Sequence, residues 1–212
     1  MTIPALNPTQ RARDLEAVTD ETFDILVIGG GVTGAGAALD AATRGLSVAI
    51  VEAQDWASGT SSRSSRLIHG GLRYLYNLDF ALVAEALTER GRLLTKLAPH
   101  LVKAQPFLWP LKQRVIERAY SAVGVGLYDV LAVAGAGGRK TVPIQKHLSK
   151  QGAKERFTDV RDDALIGAIE FYDARVDDSR MVINLVRSAV RHGARALSRA
   201  QVVGFVQDAG GR

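Results

Sequence analysis

The chain of 212 residues contains no cysteine. That absence excludes disulfides, thiolate zinc sites, iron–sulfur clusters and a thiol nucleophile, so any redox chemistry has to come from a bound cofactor. It is compatible with the cytoplasm. Aromatic residues are scarce, at 6 %, and are not interleaved with the basic ones. The net charge of +5 therefore argues for an anionic small molecule or an anionic lipid surface, and no nucleic acid is expected as a partner. No metal site is expected either. Residues 1–22 hold no apolar core of the kind that marks a signal peptide. The apolar stretch 119–138 is interrupted by Tyr120, Asp129 and five glycines, too broken for a membrane-spanning helix.

What is present is organised. Residues 1–22 are polar, lack periodicity and read as a flexible lead. Phe23–Ile28 is a nearly continuous apolar run, the pattern of a parallel strand buried on both faces. Thr33–Arg44 reads as an Ala-rich helix closed by Gly45, and Leu46–Val51 as a second strand. Strand, Gly-rich turn, helix and strand in about thirty residues make a βαβ unit. Asp79–Ala98 is an amphipathic helix whose apolar face is Phe80, Val83, Ala84, Leu87, Leu94 and Leu97. Residues 100–150 are less regular, with Pro106, Pro110 and Pro143. A strand is expected at Ala168–Tyr172, a helix at Asp178–His192 capped by Asp177 or Asp178, and a strand at Ala200–Val206.

Gly29, Gly31 and Gly34 match G-x-G-x-x-G between the first strand and the helix, the context in which the pattern binds dinucleotides. Gly29 permits the tight turn, Gly31 admits a pyrophosphate to the backbone, and Gly34 lets the helix lie close to the strands. Gly36 and Ala37 read as an extension of that close-packed face. The helix N-terminus offers unpaired N–H groups to the phosphates. Glu52, 23 residues after Gly29, ends the second strand where a carboxylate accepts hydrogen bonds from a ribose diol. The motif alone does not separate FAD from NAD.

The following loop narrows the choice. Thr60, Ser61 and Ser62 bring short hydroxyls, Gly70 and Gly71 let backbone pass beside a flat ring, and Arg66 and Arg73 bring positive charge. A solvated linker would not end in His-Gly-Gly-Leu-Arg-Tyr-Leu, and a plain NAD-dependent dehydrogenase leaves the Ser-rich loop unexplained.

The run GGGVTGAGAALDAATRGLSVAIVEAQDWASGTSSRSSRLIHGGLRYL resembles the opening of the FAD-dependent, quinone-linked glycerol-3-phosphate dehydrogenases. Their pattern is GGG-x-x-GAG, DAA-x-RGL, E-x-x-D and TSS-x-SS-[KR]-L-[IV]-HGG-[LI]-RYL. The likeness continues through LVAEALTER at Leu82–Arg90, APHL at Ala98–Leu101, Tyr128-Asp129, Phe171-Tyr172-Asp173 and Val176-Asp177-Asp178. It implies an α/β fold with a discontinuous, glutathione-reductase-like FAD-binding domain and the beginning of a substrate domain. The family's chains are much longer, so this chain reads as their N-terminal portion. The expected division is residues 23–100 for the FAD-binding βαβ and flavin-contact loop, 101–175 for the start of the substrate region, and 176–212 for a helix and strand returning to the FAD-binding domain.

The resemblance implies oxidation of sn-glycerol 3-phosphate to dihydroxyacetone phosphate, with hydride transfer to FAD and electrons passed to membrane quinone. Gly29, Gly31, Gly34, Glu52, Ala53, Thr60, Ser61 and Ser62 fall on FAD-holding positions. His69, Gly70, Gly71 and Leu72 fall beside the flavin ring, and Arg73 at the substrate end. Arg73 is read as the phosphate partner, with a structural ion pair as the other reading. His69 is read as flavin-side packing, as a general base or as a core histidine. Residues 103–146, where similarity thins, read equally as a core helix with loops or as part of a surface facing an anionic membrane, which would make the protein peripheral on the inner face. Alternatives in function are an FAD-binding module without turnover and a flavin amine or amino-acid oxidase. The chain alone is expected to bind FAD weakly and to turn over little substrate. Oligomeric state is open.

Overall fold

A computed structural model describes residues 6–71, 74, 77, 79–112, 116–135, 141–161, 163 and 165–207. The chain divides into two compact units, Met1–Ser65 with Asp177–Arg212, and Arg66–Val176. β3 (Leu67–Ile68) belongs to the second unit, because it pairs with a strand there.

In the first unit, β1 (Ile25–Ile28), β2 (Val48–Val51) and β7 (Arg195–Leu197) form a parallel sheet in the order β1-β2-β7. Helices α2 (Val32–Thr43) and α6 (Asp178–Arg191) pack together against it. Ala35, Ala38, Ala41 and Ala42 of α2 meet Val182, Val186 and Ala189 of α6, small side chains that let the backbones approach. Gly36 and Ala37 do not belong to this face: a Cβ at Gly36 would meet nothing within 4 Å, and Ala37 is exposed. Asp177 caps α6, accepting from the Arg180 N–H at 3.0 Å. Gly45 and Gly193 close the two helices with φ of +85° and +99°, values that favour glycine.

Three expectations change here. β1 is not buried on both faces. Ile25 and Val27 pack on the core, while Leu26 and Ile28 are exposed on the other face of this edge strand. The third strand is β7 at 195–197 and not 200–206. The chain turns at Gly193 and pairs immediately with β2, whereas 201–207 have no regular structure and Val203, Phe205 and Val206 are exposed.

The lead is likewise not flexible throughout, because Pro8–Asp20 form α1. Asn7 caps it, accepting from the Gln10 N–H at 2.9 Å, and Pro8 starts it, a position where a missing N–H costs nothing. α1 is anchored by polar groups. Buried Asp14 accepts from the Ala196 N–H at 3.2 Å and faces Arg195 at 3.8 Å, and Arg11 donates to the Ser198 carbonyl. An apolar-periodicity criterion passes over such a helix.

In the second unit, β6 (Gly167–Arg175) is the centre of an antiparallel sheet. β4 (Lys103–Leu111) pairs along its whole length, and β3 and β5 (Lys146–Ser149) pair with its two ends. β4 lies in the region expected to be irregular. Its Pro106 and Pro110 are four residues apart, so both ring nitrogens face the same edge, which an edge strand tolerates. Helix α3 (Phe80–Arg92) begins at Asp79, which accepts from the Leu82 N–H at 3.2 Å, and its last turn widens into a π turn at Leu93–Leu97, where the Ala98 N–H reaches the Leu93 carbonyl. Its buried stripe is Val83, Leu87, Arg90 and Gly91, while Phe80 and Leu97, expected inside, are exposed. Helix α4 (Ile116–Gly135) buries Val125, Tyr128 and Ala132 and exposes Val123 and Val130. α5 (Lys150–Arg156) packs beside β5 and β6. Among the described residues, no helix is long and apolar enough to cross a membrane.

Candidate functional site

In the first unit, the turn between β1 and α2 is built by three glycines with three different causes. Gly29 has φ of +113°. At Gly34 a Cβ would stand 2.0 Å from the Gly29 carbonyl oxygen, so only glycine lets the helix start this close to the turn. At Gly31 a Cβ would meet only the Ser61 hydroxyl, at 3.3 Å, so the backbone there is open to an approaching group. A fourth glycine, absent from the motif reading, is constrained too. A Cβ at Gly30 would lie 2.4 Å from the Trp56 ring and 2.9 Å from the Glu52 Cβ.

Glu52 is held from both sides. Its main chain donates to the Leu197 carbonyl at 2.8 Å and accepts from the Ala200 N–H at 2.9 Å. Its carboxylate accepts the Gly30 N–H at 2.7 Å and the Gln54 N–H at 2.7 Å, one on each oxygen. Each oxygen keeps lone-pair capacity for a further donor such as a ribose hydroxyl. Ser61, in a short 3-10 turn at Thr60–Ser62, accepts the Val32 N–H at 2.9 Å and so occupies one donor of the α2 N-terminus. Other first-turn N–H groups have no partner within the helix, and with the helix dipole they favour an anion there. Ser62 donates to the Gly59 carbonyl, and Ala53 and Thr60 are exposed nearby in the chain. A positive φ at Gly29, an unobstructed Gly31 and a fixed carboxylate at Glu52 are chemically suited to a dinucleotide.

In the second unit, exposed His69 and buried Gly71 line a cavity of about 380 Å³ with Leu67, Tyr74, Phe107, Phe171 and Asp173. Gly71 has φ of +75°. Gly70 needs its missing side chain for a reason internal to the protein: a Cβ would lie 2.1 Å from Leu87 Cδ2 and 2.5 Å from the Tyr128 hydroxyl. Leu72 and Arg73 lie outside the described residues.

Sequence reasoning gave no role to the group beneath this turn. Arg90 Nη1 donates to Asp173 Oδ1 at 2.6 Å and to the Tyr172 carbonyl at 3.2 Å. The Tyr128 hydroxyl lies 3.0 Å from Asp173 Oδ1 and accepts the Gly70 N–H at 2.8 Å. Burial, reinforced by the Asp173 carboxylate and opposed by Arg90, pushes the Tyr128 hydroxyl far above the ordinary phenol range. The hydroxyl keeps its proton and donates it to Asp173. Among the described residues, no cluster of His, Asp and Glu is arranged to hold a metal ion.

The chain is similar to known proteins. The glycerol-3-phosphate dehydrogenase of Mycobacterium leprae is 54 % identical over 204 residues, which are 96 % of this chain and 34 % of that protein. The chain thus spans about a third of the length of the curated relatives it matches. Among solved structures, the glycerol-3-phosphate dehydrogenase from Bacillus halodurans complexed with FAD aligns with a TM-score of 0.64 at 29 % identity, covering 95 % of this chain and 31 % of that one. The L-α-glycerophosphate oxidase from Mycoplasma pneumoniae with FAD bound aligns with a TM-score of 0.61 over 90 % of this chain and 48 % of that one, a likeness of fold alone at 19 % identity. A family model described as FAD dependent oxidoreductase matches residues 24–212, and with nearly the whole chain inside that match, the chain belongs to the FAD-dependent oxidoreductase family.

Proposed function

We propose that this chain carries the FAD-holding part of an enzyme that oxidises sn-glycerol 3-phosphate to dihydroxyacetone phosphate. The observation that supports it most is the Gly29–Gly34 turn with the Glu52 carboxylate clipped to the Gly30 amide. In this reading Gly31 and the α2 N-terminus take the pyrophosphate, and Glu52 takes the ribose. Ala53 and the hydroxyls of Thr60, Ser61 and Ser62 line the nucleotide, and His69, Gly70, Gly71 and Leu72 flank the flavin ring. Arg73 pairs with the substrate phosphate, since a guanidinium matches phosphate geometry. FAD, when bound, supplies the hydride acceptor. Membrane quinone is the proposed electron acceptor.

The test is stoichiometric: anaerobic addition of glycerol 3-phosphate to the FAD-loaded chain, followed by visible absorption. Single reduction of the flavin is the supporting result, and it does not depend on turnover, which we expect to be weak for this chain alone. Bleaching by amino acids but not by glycerol 3-phosphate would replace this reading with that of an amino-acid oxidase. No bleaching by either would leave an FAD-binding module without turnover.

Removal of the Glu52 carboxylate deletes the proposed ribose contact together with its hold on the Gly30 and Gln54 amides. One hydrogen bond to a charged group, worth about 1.5–3 kcal/mol, accounts for a loss in FAD affinity of about tenfold to a hundredfold in Glu52→Ala, read by flavin fluorescence. An unchanged affinity would move the ribose elsewhere.

For peripheral membrane attachment, the supporting feature is the exposed apolar pair Val123 and Val130 on α4 in a chain of net charge +5, which favours an anionic bilayer. Flotation with anionic vesicles at low salt should carry the protein upward, and Val130→Glu should reduce this. Failure to float removes the membrane from the account of this chain.

A further inference from the structure

Two side chains of the second unit hold one backbone amide, and a third holds those two. Arg90 on α3, Tyr128 on α4 and Asp173 on β6 are 0 %, 1 % and 5 % exposed. The Gly70 N–H is shared between the Tyr128 hydroxyl at 2.8 Å and Asp173 Oδ1 at 3.1 Å. Asp173 Oδ1 also accepts from Arg90 at 2.6 Å, and the Arg90 guanidinium lies 5.3 Å from the centre of the Tyr128 ring. Arg90 and Asp173 are 83 residues apart, and the contact from Gly70 to Asp173 spans 103.

A packing role alone does not call for this chemistry. A buried ion pair is commonly no more stabilising than apolar side chains of the same volume, and Nε and Nη2 of Arg90 are buried without a hydrogen-bond partner among the described residues. What the polar group adds is direction. It fixes the plane of the peptide between His69 and Gly70, and the residues on either side of Gly70 both line the cavity that Asp173 also reaches. The turn cannot settle this orientation by itself, because Gly71 has the positive φ of a residue with many conformations open to it. Leu87 and Tyr128 close the space on the Gly70 Cα, so the amide is gripped by contact as well as by hydrogen bonds.

We propose that Arg90, Tyr128 and Asp173 are positioning residues for the His69–Gly71 turn, holding the Gly70 amide so that His69 and Gly71 face the cavity. The inference rests on the proposed reading that this turn is the flavin side of the site. Arg90 anchors Asp173, Asp173 orients the Tyr128 hydroxyl, and both acceptors bind the Gly70 N–H. None of the three needs to touch FAD or substrate.

The test uses Tyr128→Phe, which removes the hydroxyl and keeps the ring, and Asp173→Asn, which keeps the shape and removes the charge. The first measurement is amide hydrogen exchange and the ¹⁵N–¹H shift of Gly70 in the 212-residue chain without cofactor. We expect Gly70 exchange to rise about tenfold in Tyr128→Phe, from the loss of one hydrogen bond, with protection in α3 and α4 retained. The second is the visible spectrum of bound FAD, whose band positions should shift in both variants. Gly70 exchange that does not change, or that rises only together with the whole of α3 and α4, would overturn the proposal and leave a structural staple. A Gly70 amide that responds while the flavin bands stay fixed would instead overturn the flavin-side reading of 69–71, with the grip on the turn upheld.

Discussion

Asp173→Ala is expected to lower the unfolding free energy by about 3–5 kcal/mol, the range for breaking a buried ion pair by deleting one partner. The reason lies with the residue left behind. Arg90 is fully buried, with two of its nitrogens without a hydrogen-bond partner among the described residues, and Asp173 is the carboxylate it pairs with at 2.6 Å. Deleting Asp173 leaves a guanidinium hydrogen-bonded, among the described residues, to the Tyr172 carbonyl and the Tyr128 hydroxyl, neither of which carries a charge to balance it. The double substitution Arg90→Met with Asp173→Leu removes both charges, and most of the lost stability should return. Urea denaturation of the single and double variants decides this. A double variant no better than the single one would mean that shape, and not charge, is what the pair supplies.

Gly34→Ala should be the most damaging single methyl group in the first unit. Its Cβ would stand 2.0 Å from the Gly29 carbonyl oxygen and 3.3 Å from Val27 Cγ1. The oxygen belongs to the backbone of the turn and cannot swing aside as a side chain could, so α2 has to move away from β1. Overpacking of this kind costs about 1–3 kcal/mol, and the shift takes the α2 N-terminus out of register with the turn, so FAD affinity should fall as well. Two residues along the same helix, Gly36→Ala meets nothing within 4 Å and should be neutral or stabilising by up to ~1 kcal/mol, the difference in helix propensity. Measured together, the two alanines separate crowding at the turn from a general effect of altering α2. Equal effects would remove the close-approach argument for Gly34.

The contrast between these two glycines also shows what was legible in the sequence. G-x-G-x-x-G between an apolar run and a helix was enough to locate the turn, and the spacing to Glu52 was enough to expect a carboxylate at the end of β2. Both depend on residues close together in the chain. The grip of the carboxylate on the Gly30 amide, the crowding by Trp56 that requires glycine at 30 and the pinning of Glu52 by the segment after β7 rest on contacts that G-x-G-x-x-G does not encode.

The same holds for the elements that escaped notice. α1 is anchored through Asp14 and Arg11 and not through an apolar stripe. β4 carries two prolines that an edge strand accepts, although they make its sequence look like loop. β7 is only three residues long, and the apolar run after it that looked more like a strand is exposed. Arg90 was hidden for a further reason. A charged residue on the apolar face of an amphipathic helix reads as an interruption until its partner is seen, and that partner lies on another strand.

The central claim is that the Gly29–Gly34 turn with Glu52 holds FAD. The most direct measurement is a titration of the purified chain with FAD, followed by flavin fluorescence, on the unaltered chain and on Gly34→Ala, with NAD as competitor. Saturable binding of FAD, marked weakening in Gly34→Ala and no displacement by NAD are expected. Absence of saturable FAD binding, displacement by NAD at equal concentration, or a Gly34→Ala variant that binds like the unaltered chain would contradict it.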